Sequence, residues 1–367
     1  RAGISAPSQN LATLVSNGVG LPSGTYTYRY TGVNSFGVES DISPDSNSFS
    51  VTLKKILIST FPTYPGSTGV ETIRIYRNTA GVAGVFYRLT SITNGINQYN
   101  DNIADSSLVT AAPSDNATPS KFIIMLVHKD RLYGVTAESS DLWYSNLNDP
   151  ETFPSTSFIR INSGDGFNIS GLQLIDEGIL IQKNNKDGSG KLFKLVTPTT
   201  TATDWTVIAT DSMYGGEAKR AIVPFKSSVA FVNRFGIYEA TKSPSGDKVF
   251  TENISFKIED WIRDLSVSTV KDVKAVVFKN KIYFLVAEDK LFIYDFLREA
   301  EGERSRQRGG WAYWEGQGDS NIRDLIVFDD KVLAGGDTGF IYNLGDTSSS
   351  TDQGGSASAV IGNYTTG

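Results

Sequence analysis

No cysteine occurs anywhere in the 367 residues. Disulfide staples, thiol nucleophiles and cysteine-ligated zinc are therefore excluded, and the fold needs no oxidising compartment. Histidine is almost as scarce, because His128 stands alone. The chain nearly lacks the side chain that moves protons near neutral pH, and a metal would find a single imidazole. No apolar run reaches the roughly 18–20 residues that a membrane-spanning helix needs. Basic character is missing as well: 34 Lys+Arg face 40 Asp+Glu, a formal charge of −6. Residues 1–118 carry seven of each sign, so the whole acidic excess belongs to the remainder. Such a surface repels phosphates and lacks the basic footprint of a nucleic-acid grip. The chain opens on Arg1 without a signal-peptide pattern and stops at Tyr364-Thr365-Thr366-Gly367, which reads as a piece of a longer chain.

What is abundant points to β structure. Glycine is frequent, at 35, and there are 16 Tyr, 20 Phe and 5 Trp, which pack well on pleated surfaces. Residues 1–20 are small and polar and read as an N-terminal linker. From Thr25-Tyr26-Thr27-Tyr28-Arg29-Tyr30 onward, period-2 segments follow one another. They are Phe49–Leu53, Ile56–Ile58, Val70–Arg77, Val85–Ile92 and Gln98–Asp101. In Val70–Arg77 the alternation puts Glu71, Ile73 and Ile75 on one side and Val70, Thr72, Arg74 and Tyr76 on the other. About seven short strands with turn residues between them predict an immunoglobulin- or fibronectin-III-like sandwich over 21–112. Residues 113–120, small and polar with two prolines, read as the next linker.

The region 121–348 repeats itself. Five segments share one plan of apolar strand, polar turn, apolar strand, turn and aromatic strand. They begin at Met125, Leu172, Ala221, Ala275 and Leu325. One turn residue from each, Asp130, Glu177, Ser227, Asn280 and Asp330, gives spacings of 47, 50, 53 and 50. A four-stranded propeller blade takes roughly 40–50 residues. The expected fold class is thus all-β, a sandwich followed by a β-propeller of five or more blades, with 349–367 a C-terminal segment. The only helical pattern is Ile258–Leu265, which would put Ile258, Trp261, Ile262 and Leu265 on one face.

Motifs with chemical overtones read as turns. Asp337-Thr338-Gly339 has the tripeptide of aspartic proteases, but those need two carboxylates sharing a proton, and Gly335-Gly336 ahead of it favours a hairpin. Gly188-Ser189-Gly190-Lys191 lacks the first glycine of a phosphate loop and has Leu192 where a Mg²⁺-binding hydroxyl belongs. Asp324, Asp329, Asp330 and Asp337 lack the alternating order of a calcium loop. No catalytic, cofactor or metal residues are expected. Two groups remain as candidates for contact. The charged run Arg298–Arg308, with Arg298, Glu301, Glu303, Arg304, Arg306 and Arg308, reads as a solvated loop or a subunit-contact loop. Trp143-Tyr144, Trp205, Trp261 and Trp311-Ala312-Tyr313-Trp314 read as blade core, or as aromatics lining a sugar groove. Trp311, Tyr313 and Trp314 are the group set apart as exposed.

The whole chain resembles the tail nozzle proteins of short-tailed bacteriophages. The likeness rests on Gly24–Tyr28, Val33–Ser40 with Ser43-Pro44, and Ile73–Arg77 in the first region. In the repeats it rests on Asp130–Gly134, Leu142–Ser145 with Asn148–Phe153, and Phe340–Tyr342. The resemblance implies a virion tail location and no catalytic residues to carry over. It implies a hexameric ring at the distal tail, below the adaptor, that forms part of the DNA ejection channel. The implied partners are copies of itself, the adaptor and fibre proteins, and genome DNA that passes without sequence-specific binding. Family members are longer, which leaves blade count open. A carbohydrate-binding or adhesion module, or another tail or baseplate component, is the alternative, and a polysaccharide-degrading propeller would need a carboxylate pair in a pocket.

Overall fold

The computed structural model describes residues 4–113, 115–116, 120–184, 190–210, 212, 214–242, 249–287, 290–299, 308–315, 322–337, 339 and 341–344. It is all-β, built of small antiparallel sheets, and divides into two compact units. Unit one is Arg1–Phe122, Val127–Gly134 and Trp143–Ile159; unit two is Ile123–Leu126, Val135–Leu142 and Arg160–Gly367.

Unit one opens with eight strands: β1 (Ala12–Val19), β2 (Gly24–Tyr26), β3 (Tyr28–Asn34), β4 (Phe49–Val51), β5 (Lys54–Ser59), β6 (Val70–Arg77), β7 (Tyr87–Thr93) and β8 (Gln98–Asp101). They form sheets β1-β5-β8, β3-β6-β7 and β2-β4. The two three-stranded sheets share one core, in which Tyr26, Tyr28, Tyr30, Ile56, Ile58, Ile73 and Ile75 are essentially solvent-free. The alternation seen in the sequence explains this: Ile73 and Ile75 face inward together, and Arg77 continues their row. Its buried guanidinium meets Asp101 at 2.8 Å and Asp105 at 2.6 Å and lies over the Tyr26 ring, while Tyr28 donates to Asp101 at 2.7 Å. Residues 12–19, expected within the linker, instead form β1, paired with β5 from Ala12↔Ser59 to Val19↔Lys54. The expected linker at 113–120 is tied down where it is described, by Asn116 to the Glu39 carbonyl and by Asp115 to Ser155.

Strand β3 is an edge, and a segment with a different rhythm covers it. Ser40, Ser43 and Ser46 stand opposite Gly32, Tyr30 and Tyr28. At each step the serine N–H donates to the β3 carbonyl, and its hydroxyl accepts from the β3 N–H at 2.9–3.0 Å. The hydroxyl then donates to the carbonyl of the next residue. Three residues here match two on β3, so every step holds one extra residue, as in a β-bulge. Glu39, at the head of this segment, accepts from Thr31, Arg74 and Tyr76. The run Val33–Ser40 thus carries the chain from the end of β3 through a turn into its edge cover.

Five sheets follow. β9 (Phe122–His128), β10 (Arg131–Thr136), β11 (Asp141–Tyr144) and β12 (Phe158–Arg160) form the first. β13 (Asn168–Ile175), β14 (Gly178–Asn184), β15 (Gly190–Val196) and β16 (Thr206–Ala209) form the second. β17 (Val223–Phe225), β18 (Ser228–Asn233), β19 (Gly236–Lys242) and β20 (Val249–Asn253) form the third. After two short helices, α1 (Glu259–Arg263) and α2 (Val267–Asp272), come β21 (Lys274–Phe278), β22 (Lys281–Ala287), β23 (Lys290–Glu299) and β24 (Arg308–Glu315). The fifth sheet is β25 (Ile322–Phe328), β26 (Lys331–Gly336) and β27 (Ile341–Asn343).

Each sheet is a meander in chain order, and each first hairpin has a left-handed residue at the start of its turn. Lys129-Asp130, Asp176, Lys226, Lys279 and Asp329-Asp330 all have left-handed φ between 46° and 58°. That geometry lets a two-residue turn match the strand twist. The sequence ruler fell on these turns. In unit two the first strands of the second to fifth sheets lie side by side, and apolar clusters fill the spaces between successive sheets. The predicted charged loop is shorter than expected, because β23 runs to Glu299 and pairs it with Arg308.

Candidate functional site

Strand β14 changes character along its length. Ile179, Leu180 and Ile181 give way to Gln182, Lys183 and Asn184, all of them buried. Lys183 is fully enclosed, and its ammonium donates to the Ile161 carbonyl at 2.6 Å, the Asn162 carbonyl at 3.0 Å and Asp165 at 2.9 Å. Three donors meet three acceptors, so the charge is held and not displayed. Burial alone would raise the Asp165 carboxyl. Hydrogen bonds from Lys183, the Phe167 amide and Asn162 outweigh that and hold it below the ordinary carboxylate range. The ammonium thereby fixes a loop whose Asn162, Gly164 and Gly166 have left-handed backbones. An open cleft of about 580 Å³ lies beside it, lined by Asp141, Arg160, Ser163 and Phe167 among others. Arg160 and Asp141 close on each other there at 2.8 and 3.0 Å.

On the opposite face of β14, both amide atoms of Gln182 and of Asn184 lack a protein partner among the described residues. Gly171 and Gly216 press against Gln182, where a Cβ at Gly216 would come within 2.0 Å of its Oε1. Next to Gly216, buried Glu217 binds the Arg234 backbone N–H and Nε through one oxygen, the latter at 3.0 Å.

The aromatic residues sort into core and rim. Trp311, read as blade core or as an exposed groove aromatic, is buried at 7% exposure. Its indole N–H donates to the Ile254 carbonyl at 2.9 Å, and its ring lies 4.8 Å from Tyr294 and 6.0 Å from Phe284. A long-range acceptor for the one polar atom is what lets the ring sink. Tyr313 is half-buried, 5.2 Å from Phe292 and 4.6 Å from Trp261. Trp261 was expected on the apolar face of a helix, yet it is 51% exposed. Helix α1 begins only at Glu259 after a 3₁₀ turn, so Ile258 and Ile262 take the inward positions. On the other face of the third sheet, Tyr214 stacks on Tyr238 at 4.6 Å and meets the Phe235 edge at 6.2 Å. Burial, then the Tyr214 and Glu259 neighbours, push the Tyr238 hydroxyl well above its ordinary range. Sequence patterning missed Tyr214 and Phe235, because the first lies in irregular chain and the second in a hairpin turn, both without periodicity.

Of the remaining candidates, Glu301, Glu303, Arg304 and Arg306 lie outside the described residues, and so do the side chains of Arg298, Arg308 and Trp314. Trp143 packs 5.1 Å from Phe158. Phe153 packs 4.9 Å from Phe122, whose ring covers Gly134 so closely that a Cβ would come within 2.4 Å of it. The runs Asp130–Gly134 and Asn148–Phe153 are therefore packing motifs. The acidic group of the last repeat disperses into ion pairs: Asp324 with Arg220 at 2.7 Å, Asp337 with Arg323 at 2.6 Å, and Asp330 with Lys279 at 3.2 Å. Thr338 lies outside the described residues. Among the described residues, no three His, Asp or Glu side chains approach closely enough to hold a metal ion.

No protein-family profile and no curated protein matches the chain. Several solved structures are similar. One is provisionally named a 6-phosphogluconolactonase, from Bacteroides uniformis, at 9% identity and TM-score 0.37, covering 87% of this chain and 95% of that one. Another is a protein of unknown function from Desulfotomaculum acetoxidans, at 11% identity and TM-score 0.33, covering 88% and 96%. A third, from Lactobacillus plantarum, has 13% identity and TM-score 0.32, covering 79% and 94%. Likeness at this level carries no inference about activity.

Proposed function

We propose that this chain is a virion structural protein of a phage tail, a nozzle-like subunit that assembles into a ring around the DNA ejection channel. The observation that carries this reading is the fivefold recurrence of one meander whose first turn opens on a left-handed residue, with the first strands of the second to fifth sheets side by side in unit two. On this reading unit two holds most of a β-propeller and the opening strands form an immunoglobulin- or fibronectin-III-like sandwich. Sheets arranged around a common axis leave few open edges and make a rigid building block.

The electrostatics agree with a mechanical role. The buried charges Arg77, Lys183 and Glu217 are engaged in internal ties. The acidic excess suits a wall past which DNA must slide, because bound phosphates would stall ejection. The partners proposed are copies of the same chain, most simply six, with adaptor and fibre proteins. The chain is proposed not to be an enzyme. An adhesion module or another tail or baseplate component remains the rival reading.

The test is the mass and symmetry of the purified protein, by light scattering and negative-stain imaging. A closed ring with a hole that admits duplex DNA is expected. A monomer at every concentration, with neighbouring tail proteins present, overturns the reading.

A further inference from the structure

We propose that the chain joins a second copy of itself head to tail, the open face of the fifth sheet in one copy covering the open face of β9 in the next. Position ahead of each first turn decides which way a side chain faces. The first left-handed turn residues, Lys129, Asp176, Lys226, Lys279 and Asp329, supply a common register. Three and one places before them, Val223 and Phe225 of the third sheet pack on the fourth, and Val276 and Phe278 of the fourth pack on the fifth. Ile175, one place before in the second sheet, packs on the third. Four and two places before, the direction reverses. Ala275 and Val277 meet the third sheet, Ile222 meets the second and Leu325 meets the fourth. Successive side chains of a strand point to opposite faces, so this rule is the strand period itself.

The rule leaves two faces open. The fifth sheet ends the described series, and its forward-facing Ile326 and Phe328 are both exposed, Phe328 at 65%. On β26 and β27 the same face continues, because Ile326 pairs with Leu333 and, two residues on, Gly335 pairs with Ile341. Ile341 is 73% exposed. At the other end of the series, Met125 and Val127 of β9 hold the backward-facing places and are 64% and 68% exposed. Ile123, two residues earlier on β9, is exposed as well. Ile123 and Met125 belong to unit two with the fifth sheet, and both faces stay exposed there, so neither covers the other.

Contiguous apolar faces of this kind mark sites of association. The kind of surface that fits each one is already on the chain. Forward-facing side chains of one sheet meet backward-facing side chains of the next at all three joints from the second sheet to the fifth. One copy offers the first kind at its fifth sheet and the second kind at β9, so each copy completes its neighbour. A contact between unlike faces propagates into rings or open filaments. Lys279 and Asp330 tie the turns of the fourth and fifth sheets at 3.2 Å. The corresponding places at the new joint hold Asp329 and Asp130. The joint is therefore apolar in origin, and added salt should strengthen it. The proposal needs neither DNA nor a tail, so it can fail apart from the ring reading.

The absence of cysteine makes the whole chain suitable for site-specific cross-linking. Met125→Cys and Ile326→Cys, both at exposed side chains, are made separately and treated with a short bis-maleimide at raised salt. Each variant alone should stay monomeric on a denaturing gel, and the mixture should give a dimer. A chain carrying both changes should give a ladder. Adding Phe328→Asp to the Ile326→Cys chain should lower the mixed dimer several-fold, with the melting temperature near wild type. A mixture that stays unlinked, dimers of either variant alone, an internal link in place of the ladder, or no loss with Phe328→Asp overturns the proposal. Rings imaged in a sample whose mixture stays unlinked would keep the ring reading and overturn only this joint, whereas a ladder from open filaments supports the joint and counts against the ring.

Discussion

Replacing Lys183 by Met tests how β14 organises its surroundings. The ammonium is fully buried and makes three hydrogen bonds, so the change removes all three while keeping most of the stem packing. Asp165, whose side chain is only 8% exposed, would keep Asn162 and the Phe167 amide but lose its counter-charge. Breaking a buried pair from one side costs about 3–5 kcal/mol, and the surviving bonds argue for the lower end, about 3 kcal/mol. At about 2–4 °C per kcal/mol, that is a fall of roughly 6–12 °C in the transition of unit two. Urea unfolding, followed by probes specific to each unit because two transitions are expected, measures it. Asp165→Asn alone should cost about 2 kcal/mol. The double variant should cost little more than Lys183→Met, giving a coupling of about 2 kcal/mol. A loss below about 1 kcal/mol, or single costs that simply add, refutes the reasoning.

The same pair sets a pH dependence. The Asp165 carboxyl is held below its unfolded value, so its contribution is complete above about pH 4 and is lost as pH falls through the folded value. Wild type should show an extra loss of stability in that acid window, and Asp165→Asn should not; equal acid slopes would contradict the assignment. Gly178→Ala should destabilise by about 2–4 kcal/mol, because its Cβ would come within 2.3 Å of the Leu195 carbonyl, which is backbone and cannot swing aside. Gly335→Ala, with nothing within 4 Å, should be neutral within about 0.5 kcal/mol in the same thermal melts. Ser43→Ala should cost about 1–3 kcal/mol by leaving the buried Tyr30 N–H without its acceptor, and faster amide exchange at Tyr30 should accompany the loss.

Local rules were readable in the sequence where one residue's neighbours decide its fate. The hairpin turns at Asp130, Glu177, Ser227, Asn280 and Asp330 announced themselves, because a polar pair between apolar runs has few other uses. The alternation in Val70–Arg77 likewise located the core face. What stayed hidden depends on distant partners. Strand β1 mixes Leu14, Val15 and Val19 with Ser16, Asn17 and Gly18 in no clean alternation, and β5 pairs with it. Lys183 looks like the polar end of a strand until Ile161, Asn162 and Asp165 close over it. Trp311, for which a core and an exposed reading both stood, is buried, and Trp261, placed on the apolar face of a helix, is exposed. The Ile254 carbonyl, 57 residues away in sequence, draws the first inward. The late start of α1 turns the second out, and a window of a few residues carries neither fact.

The serine cover over β3 has a counting rule built into it. Its own chain advances by three while the strand beneath advances by two, and the two come into phase only at Ser40, Ser43 and Ser46. Inserting or deleting one residue would slide every later hydroxyl off its amide, whereas a whole triplet ending in serine would shift the cover by one step and leave its contacts intact. Length changes along this stretch are therefore quantised, and homologous chains should differ there by three residues or by none.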